Sequence, residues 1–254
     1  MSYHGSPCWY ELSTRKPEEA GKFYGGLLGW TLAKAPMEGF DYYLASAGEA
    51  MVAGMMAPPD SAMPTYWMIY FAVDDTDGAV RAMSGDGAMV IVPPTDIPGT
   101  GRFAILTDPQ GAAFGLLQPL PMENGGAGGA FDQKKTGHGN WHELMTSDPA
   151  AALAFYGKHL GWTPSTAIPM GEMGTYQLFA WQGADIGGMM GLPAPGMPPA
   201  WLPYFGAEGI DAAVAKASAT GGTICNGPME VPGGAWIIQA TDPEGTMFAL
   251  VGPK

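Results

Sequence analysis

Basic residues are scarce in this chain. Eleven lysines and arginines stand against 24 aspartates and glutamates in 254 residues, a formal net charge of −13. A surface of that sign repels phosphate backbones and anionic membranes, so neither nucleic acid nor membrane is expected as a partner. Cysteine is nearly absent: Cys8 and Cys225 fall at different places in the two repeats described below, which argues for simple burial and against a disulfide or metal pair. The four histidines, His4, His138, His142 and His159, read as surface or loop residues. No apolar run reaches the 18 residues of a membrane-spanning helix, and MSYHGSPCWYEL lacks the regions of a signal peptide, so a cytoplasmic protein is expected. Nucleophile triads, phosphate-binding loops and dinucleotide fingerprints are missing too; GDG at 85 to 87 reads as a turn. That leaves covalent hydrolysis, nucleotide hydrolysis and a dinucleotide-binding domain without support.

Glycine and proline, in contrast, are plentiful. The 39 glycines and 24 prolines fall between short apolar runs, as a chain of many short strands and turns requires. The chain also repeats itself. WYELSTRKPEEAGKFYGGLLGW (9 to 30) aligns without a gap on WHELMTSDPAAALAFYGKHLGW (141 to 162), with 12 of 22 positions identical. At an offset of 134 instead of 132, VAGMMAPP meets GGMMGLP, WMIYF meets WLPYF and TDPQGAAFGL meets TDPEGTMFAL. Four blocks in the same order establish a duplication. The stretch PLPMENGGAGGAFDQKKTG between the copies is glycine-rich and linker-like, so residues 1–120 form the first module, 121–137 the linker and 138–254 the second.

Within the first copy, Cys8 to Ser13 reads as a strand. A helix follows, with Pro17 at its start, Glu18 and Glu19 in its first turn, Ala20, Phe23, Tyr24, Leu27 and Leu28 at helical spacing, and Gly29 at its end. Strands near 30–35, 41–46 and 50–56 complete a βαβββ unit. A second unit comprises WMIYFAVDD, a short helix from Thr76 to Ser84, and strands near 88–92, 102–107 and 112–118. The second copy follows the same plan, with Asp148 as helix N-cap, so four βαβββ units fill the chain.

The W-x-E-L first strand, the F-Y-G-x-x-L-G-W helix end and the late T-D-P-x-G turn, in this order and twice over, resemble the vicinal oxygen chelate superfamily, which includes glyoxalases, bleomycin-resistance proteins and extradiol dioxygenases. The resemblance covers nearly the whole chain and is closest to tandem, two-module glyoxalase-like bacterial proteins. It implies an α+β fold of two tandem modules, each a pair of βαβββ units curled into an open barrel whose concave face holds a small molecule and, in many members, a divalent metal. Strand alternation then turns Trp9, Glu11 and Ser13 towards that face and Cys8, Tyr10 and Leu12 towards the helix; it places Trp141 and Glu143 inward and His142 outward.

Metal-dependent members of this superfamily hold the ion with His, Glu or Gln from the first, fourth, fifth and eighth strands. The matching positions here are Trp9 and Trp141, Gly54 and Gly188, Met68 and Leu202, and Gly115 and Ala249. Hard and borderline cations need several converging oxygen or imidazole donors, and these residues offer none. A slip along the first strand recovers only Glu11 or Glu143. No metal and no cofactor are therefore expected, and the Met55-Met56 and Met189-Met190 pairs read as adaptable packing.

Glu11 and Glu143, equivalent and beside tryptophans, are the candidates for chemistry. Structural hydrogen bonding, substrate binding or proton transfer, and metal ligation remain open for each. Trp9, Trp141, Trp67, Trp201, Tyr70 and Tyr204 are the candidate ligand-binding aromatics, with core packing as the alternative for the strand aromatics. Asp108 and Asp242 read as turn formers, and Asp96 and Glu230 lie in matching glycine-rich loops. The resulting expectation is a small-molecule-binding protein that sequesters a hydrophobic or carbonyl compound. The alternatives are a glyoxalase-like lyase or isomerase with Glu11 or Glu143 as general base, or a metal-dependent lyase or dioxygenase with a non-standard site. A monomer or a homodimer is expected.

Overall fold

The computed structural model describes residues 2–37, 39–120 and 129–254. The first copy runs β1 (Pro7–Ser13), α1 (Pro17–Leu28), β2 (Thr31–Lys34), β3 (Tyr42–Ala47), β4 (Ala50–Met56), β5 (Tyr66–Ala72), α2 (Thr76–Gly85), β6 (Met89–Ile97), β7 (Gly101–Thr107) and β8 (Ala113–Pro119). The second runs β9 (Gly139–Thr146), α3 (Pro149–Leu160), β10 (Thr163–Pro169), β11 (Thr175–Trp181), β12 (Ala184–Gly191), β13 (Ala200–Gly206), α4 (Ile210–Ala219), β14 (Thr223–Glu230), β15 (Trp236–Thr241) and β16 (Met247–Gly252). Each copy makes one mixed sheet of eight strands, ordered β2-β3-β4-β1-β5-β8-β7-β6 and β10-β11-β12-β9-β13-β16-β15-β14. Each sheet keeps two edge strands, so it is curled and not closed. Of the expected linker, 121–137, residues 121–128 lie outside the described residues.

Local chemistry accounts for the helix ends. Pro17 and Pro149 occupy the first helical turn, and the Asp148 carboxylate accepts the amide N–H of Ala151 at 3.0 Å. Gly29 and Gly161 end α1 and α3 in the left-handed conformation at φ 73° and 72°, which a residue without Cβ adopts freely. β6 is longer than the expected strand at 88–92 because it continues through Pro93 and Pro94. An edge strand tolerates proline where no neighbour needs its N–H, and the register of β6 against β7 shifts between Val92 and Thr95.

By contacts the chain divides into two compact units that cut across the copies. Of the described residues, one holds 2–8, 69–120 and 142–201; the other holds 9–37, 39–68, 129–141 and 202–254. Each therefore takes one βαβββ half from each copy, and each has an aromatic core of its own. In the second unit Tyr24, Trp30, Trp67 and Phe205 meet with ring centroids 5.1–6.2 Å apart. In the first, Phe71, Tyr156, Trp162 and Trp201 meet at 4.9–6.4 Å. The aromatic residues shared by the repeated motifs are thus the ones that unite halves of different copies.

A hydrogen-bond relay runs through each core. Trp67 Nε1 donates to Tyr24 Oη at 3.1 Å, and Tyr24 Oη donates to Asp242 Oδ2 at 3.1 Å. In the other unit Trp201 Nε1 donates to Tyr156 Oη and Tyr156 Oη to Asp108 Oδ2, both at 3.0 Å. The aspartates are therefore more than turn formers. One oxygen of each closes the expected turn, Asp242 accepting from the amides of Glu244 and Thr246 and Asp108 from those of Gln110 and Ala112. The other oxygen receives the helix tyrosine.

Two histidine expectations need correction. His138 and His142 are buried, not on the surface. His142 faces the helix side of β9 as alternation requires, where its Nδ1 lies 2.7 Å from the carbonyl oxygen of Ile186. Cys8 is buried as expected, whereas Cys225 is exposed on the edge strand β14. No helix among the described residues is long and apolar enough to cross a membrane.

Candidate functional site

Alternation on β1 is clear in the burial pattern. Tyr10 and Leu12 are fully buried, Tyr10 edge-on to Phe205, while Trp9 and Glu11 are half-buried on the open face of the sheet. The parallel pairing of β1 with β4 sets Glu11 level with Gly54 and Ser13 level with Met56; β3 continues these rows with Leu44 and Tyr42. Tyr42 thus starts one row away from Glu11. Its ring leans back across Gly54, close enough that a Cβ at that glycine would lie inside the phenol. There Tyr42 Oη donates to Glu11 Oε2 at 2.9 Å and accepts from Trp9 Nε1 at 3.1 Å. Burial first, and the charge of Glu11 second, push the Tyr42 phenol well above its usual range, so it remains a protonated donor at neutral pH.

The second copy repeats the geometry. Glu143, buried on β9, pairs with Gly188 of β12, and the ring of Tyr176 covers that glycine. Tyr42 and Tyr176 are site residues that sequence reasoning missed. The available signal was the pairing of a strand glycine with a tyrosine at the same offset of 134 in both copies.

Two further tyrosines, equivalent in the repeat, stand on β5 and β13. Tyr70 pairs with Gly115, and its ring occupies the space over that glycine, 6.5 Å from Phe103. Tyr204 pairs with Ala249 and packs in a buried cluster with Leu202, against which Trp141 lies; Gln239 Nε2 donates to its phenol at 2.8 Å. Trp67 and Trp201, each 6% exposed, do not join them. Residues three apart on a strand point to opposite faces, so they enter the cores and donate to Tyr24 and Tyr156 while Tyr70 and Tyr204 stay on the open faces. The structure therefore brings Trp9 to Glu11 and Trp141 to Tyr204, and separates the two tryptophans of the fifth-strand motif from both groups.

At the four places where the resemblance expects metal ligands, the first copy carries an indole, a thioether and two glycines covered by tyrosine rings, and the second an indole and three residues without a donor side chain. Among the described residues no cluster of three His, Cys, Asp or Glu side chains converges on one point. Borderline and hard cations require such a cluster.

The packing of tyrosine over glycine is directly testable. Gly54→Ala is expected to cost about 1–3 kcal/mol by forcing Tyr42 off Glu11. In a Tyr42→Ala background the same change should be close to neutral, and urea unfolding of the four proteins measures the coupling. Equal costs in both backgrounds would show that Tyr42 does not depend on the missing Cβ.

The model of the Glyoxalase/Bleomycin resistance protein/Dioxygenase superfamily matches residues 8–116 and again 139–250. "Putative glyoxylase CFP32" of Mycobacterium bovis is 37% identical over 255 residues, covering 98% of this chain and 95% of its own length. The anthracycline biosynthesis protein DauV of Streptomyces sp. strain C5 is 29% identical, covering 97% and 93%. Among solved structures, the Mn(II)-bound glyoxalase from Novosphingobium aromaticivorans superposes with a TM-score of 0.68 at 15% identity, over 99% of this chain and 83% of that one, a likeness of fold. Two matches of the family model, one to each copy, together with a relative similar over almost its whole length, place this chain in the glyoxalase/bleomycin resistance protein/dioxygenase superfamily as a tandem, two-module member.

Proposed function

We propose that this chain binds a small hydrophobic or carbonyl-bearing molecule on its open sheet faces, with Glu11 and Glu143 as polar handles, and does so without a divalent metal. The observation that carries this reading is the glycine under a tyrosine ring on the strand beside each glutamate, in both copies. The ring gives the face an aromatic wall, and its phenol orients the carboxylate that remains; apolar walls with few placed polar groups suit such ligands. A relative named for anthracycline biosynthesis agrees with an aromatic ligand.

A second reading has Glu11 or Glu143 removing a proton beside a carbonyl, in a lyase or isomerase. The ordered chain Trp9 to Tyr42 to Glu11 favours it, because a general base must be held in one geometry. The glyoxylase name of CFP32 agrees with this reading.

A thermal-shift screen of carbonyl compounds and aromatic antibiotics, run with and without EDTA on protein of known metal content, tests the proposal. A hit that binds equally in both, and roughly tenfold more weakly to Glu11→Gln or Glu143→Gln while the apo Tm stays within a few degrees, supports it. Stoichiometric Zn, Ni, Mn or Fe with chelator-sensitive binding would overturn it.

A further inference from the structure

The duplication provides an internal comparison. Trp9, Glu11, Tyr42 and Gly54 recur in the second copy as Trp141, Glu143, Tyr176 and Gly188, so this set includes whatever the fold itself requires at that corner of the sheet. Two polar residues beside it do not recur. Where the first copy has Ser13 and Tyr66, the second has Met145 and Ala200.

Ser13 stands two residues beyond Glu11 on β1, hence on the same face, level with Met56 and in the row that leads to Tyr42. It is 5% exposed; its Oγ makes no hydrogen bond of ordinary geometry among the described residues and has the Tyr66 phenol as a polar neighbour. A buried hydroxyl without a well-formed hydrogen bond is unfavourable and calls for a reason. Tyr66 begins β5 on the same side. Alternation on β5 sends Trp67 into the core and leaves Tyr66 on the open face, on the strand next to β1, so it shares that face with Glu11 and Ser13. Burial, then the charge of Glu11, push its phenol up, and the Ser13 hydroxyl lowers it. Tyr42 shares that face, and the exposed Phe40 ring stands edge-on to Tyr42 at 6.2 Å.

The neighbouring cations are engaged elsewhere. Lys34 pairs with Asp41, and the Arg15 guanidinium reaches the carbonyls of Ser61 and Met63. A carboxylate flanked by neutral hydroxyls disfavours an anionic ligand and favours one that donates a hydrogen bond.

We propose that the working site lies in the first copy and that Ser13 and Tyr66, with Glu11, bind an uncharged aromatic compound through a hydroxyl group. The ligand hydroxyl donates to Glu11 and accepts from Ser13 or Tyr66, and its ring lies against Trp9, Tyr42 and Phe40. The inference rests on the metal-free binding reading and narrows it.

Titration calorimetry of the full chain with 2-naphthol, 2-methoxynaphthalene and 2-naphthoate tests it. One 2-naphthol per chain is expected, with the methyl ether about tenfold weaker because it lacks the donor, and with no binding of the carboxylate. Ser13→Ala and Tyr66→Phe should each weaken 2-naphthol about five- to tenfold while the apo Tm stays within a few degrees. Two molecules per chain, no binding of 2-naphthol, or affinity that survives both substitutions would overturn the inference. If naphthol binds only with added Mn²⁺ yet is weakened by these substitutions, the metal-free reading fails and the placement of the site in the first copy stands.

Discussion

Tyr24→Phe should lower stability by about 3 kcal/mol, and Tyr156→Phe by a similar amount. Each removes the middle member of a buried relay. Deleting the Tyr24 oxygen leaves the Trp67 indole N–H without its acceptor and one oxygen of Asp242 without its donor, in a site where water does not replace them. Deleting the Tyr156 oxygen does the same to Trp201 and Asp108. A buried polar group that loses its partner costs more than an ordinary hydrogen bond contributes, because its desolvation is then uncompensated. For a chain of this size the loss corresponds to a Tm lower by roughly 10 °C. Tyr43→Phe is the control: its phenol donates to Glu18 in an exposed position, so its removal should change Tm by little. Thermal unfolding of the three variants decides. If Tyr24→Phe behaves like Tyr43→Phe, the relay contributes nothing.

The second large effect is a loss of stability in mild acid that depends on His142. Burial holds its imidazole down at about 4, against an ordinary 6.5, so in the folded chain at neutral pH it is uncharged and its Nδ1–H donates to the Ile186 carbonyl oxygen. Below pH 6.5 the unfolded chain takes up a proton that the folded chain refuses until about pH 4. The contribution is therefore complete above 6.5 and is lost as pH falls to about 4, in total about 3 kcal/mol. Asp108 and Asp242 act in the opposite sense. Burial raises their carboxyl groups above the usual range, so the folded chain protonates first, and stability returns as pH falls through that range. His142→Asn, which keeps an N–H donor and cannot take up the proton, isolates the histidine. Its Tm should vary less between pH 7 and 4.5 than that of the unchanged protein. Identical pH profiles would rule out His142 as the source.

The two cases show what the sequence made legible. W-M-I-Y-F, F-Y-G and T-D-P-x-G stood out because they recur; recurrence together with periodicity was enough to assign strands, helices and four βαβββ units, and the resemblance of the motifs pointed to the family. It was not enough to assign roles. Trp67 and Tyr70 looked like one pocket wall because both are aromatic and close in sequence, yet three residues of strand put them on opposite sides of the sheet. Asp108 and Asp242 looked like turn residues because their partners, Tyr156 and Tyr24, belong to the other copy and no local pattern names them. His142 was placed on the correct side of β9 by alternation, but burial of an imidazole depends on what covers it. Tyr42 passed unnoticed because its function comes from a glycine twelve residues away on the adjoining strand.

By itself, then, the sequence determined the duplication, the α+β architecture and which residues stand at the places where the resemblance expects metal ligands. All three are properties of residue identity and spacing along the chain. The tertiary structure decided which half of one copy completes a core with which half of the other, that tyrosine rings lie over Gly54, Gly188 and Gly115, and that Tyr42, itself bonded by Trp9, holds Glu11 while Ser13 beside it makes no hydrogen bond of ordinary geometry. These depend on strand register and on packing between segments far apart in the chain. A single sequence records the residues that meet there, but not their meeting.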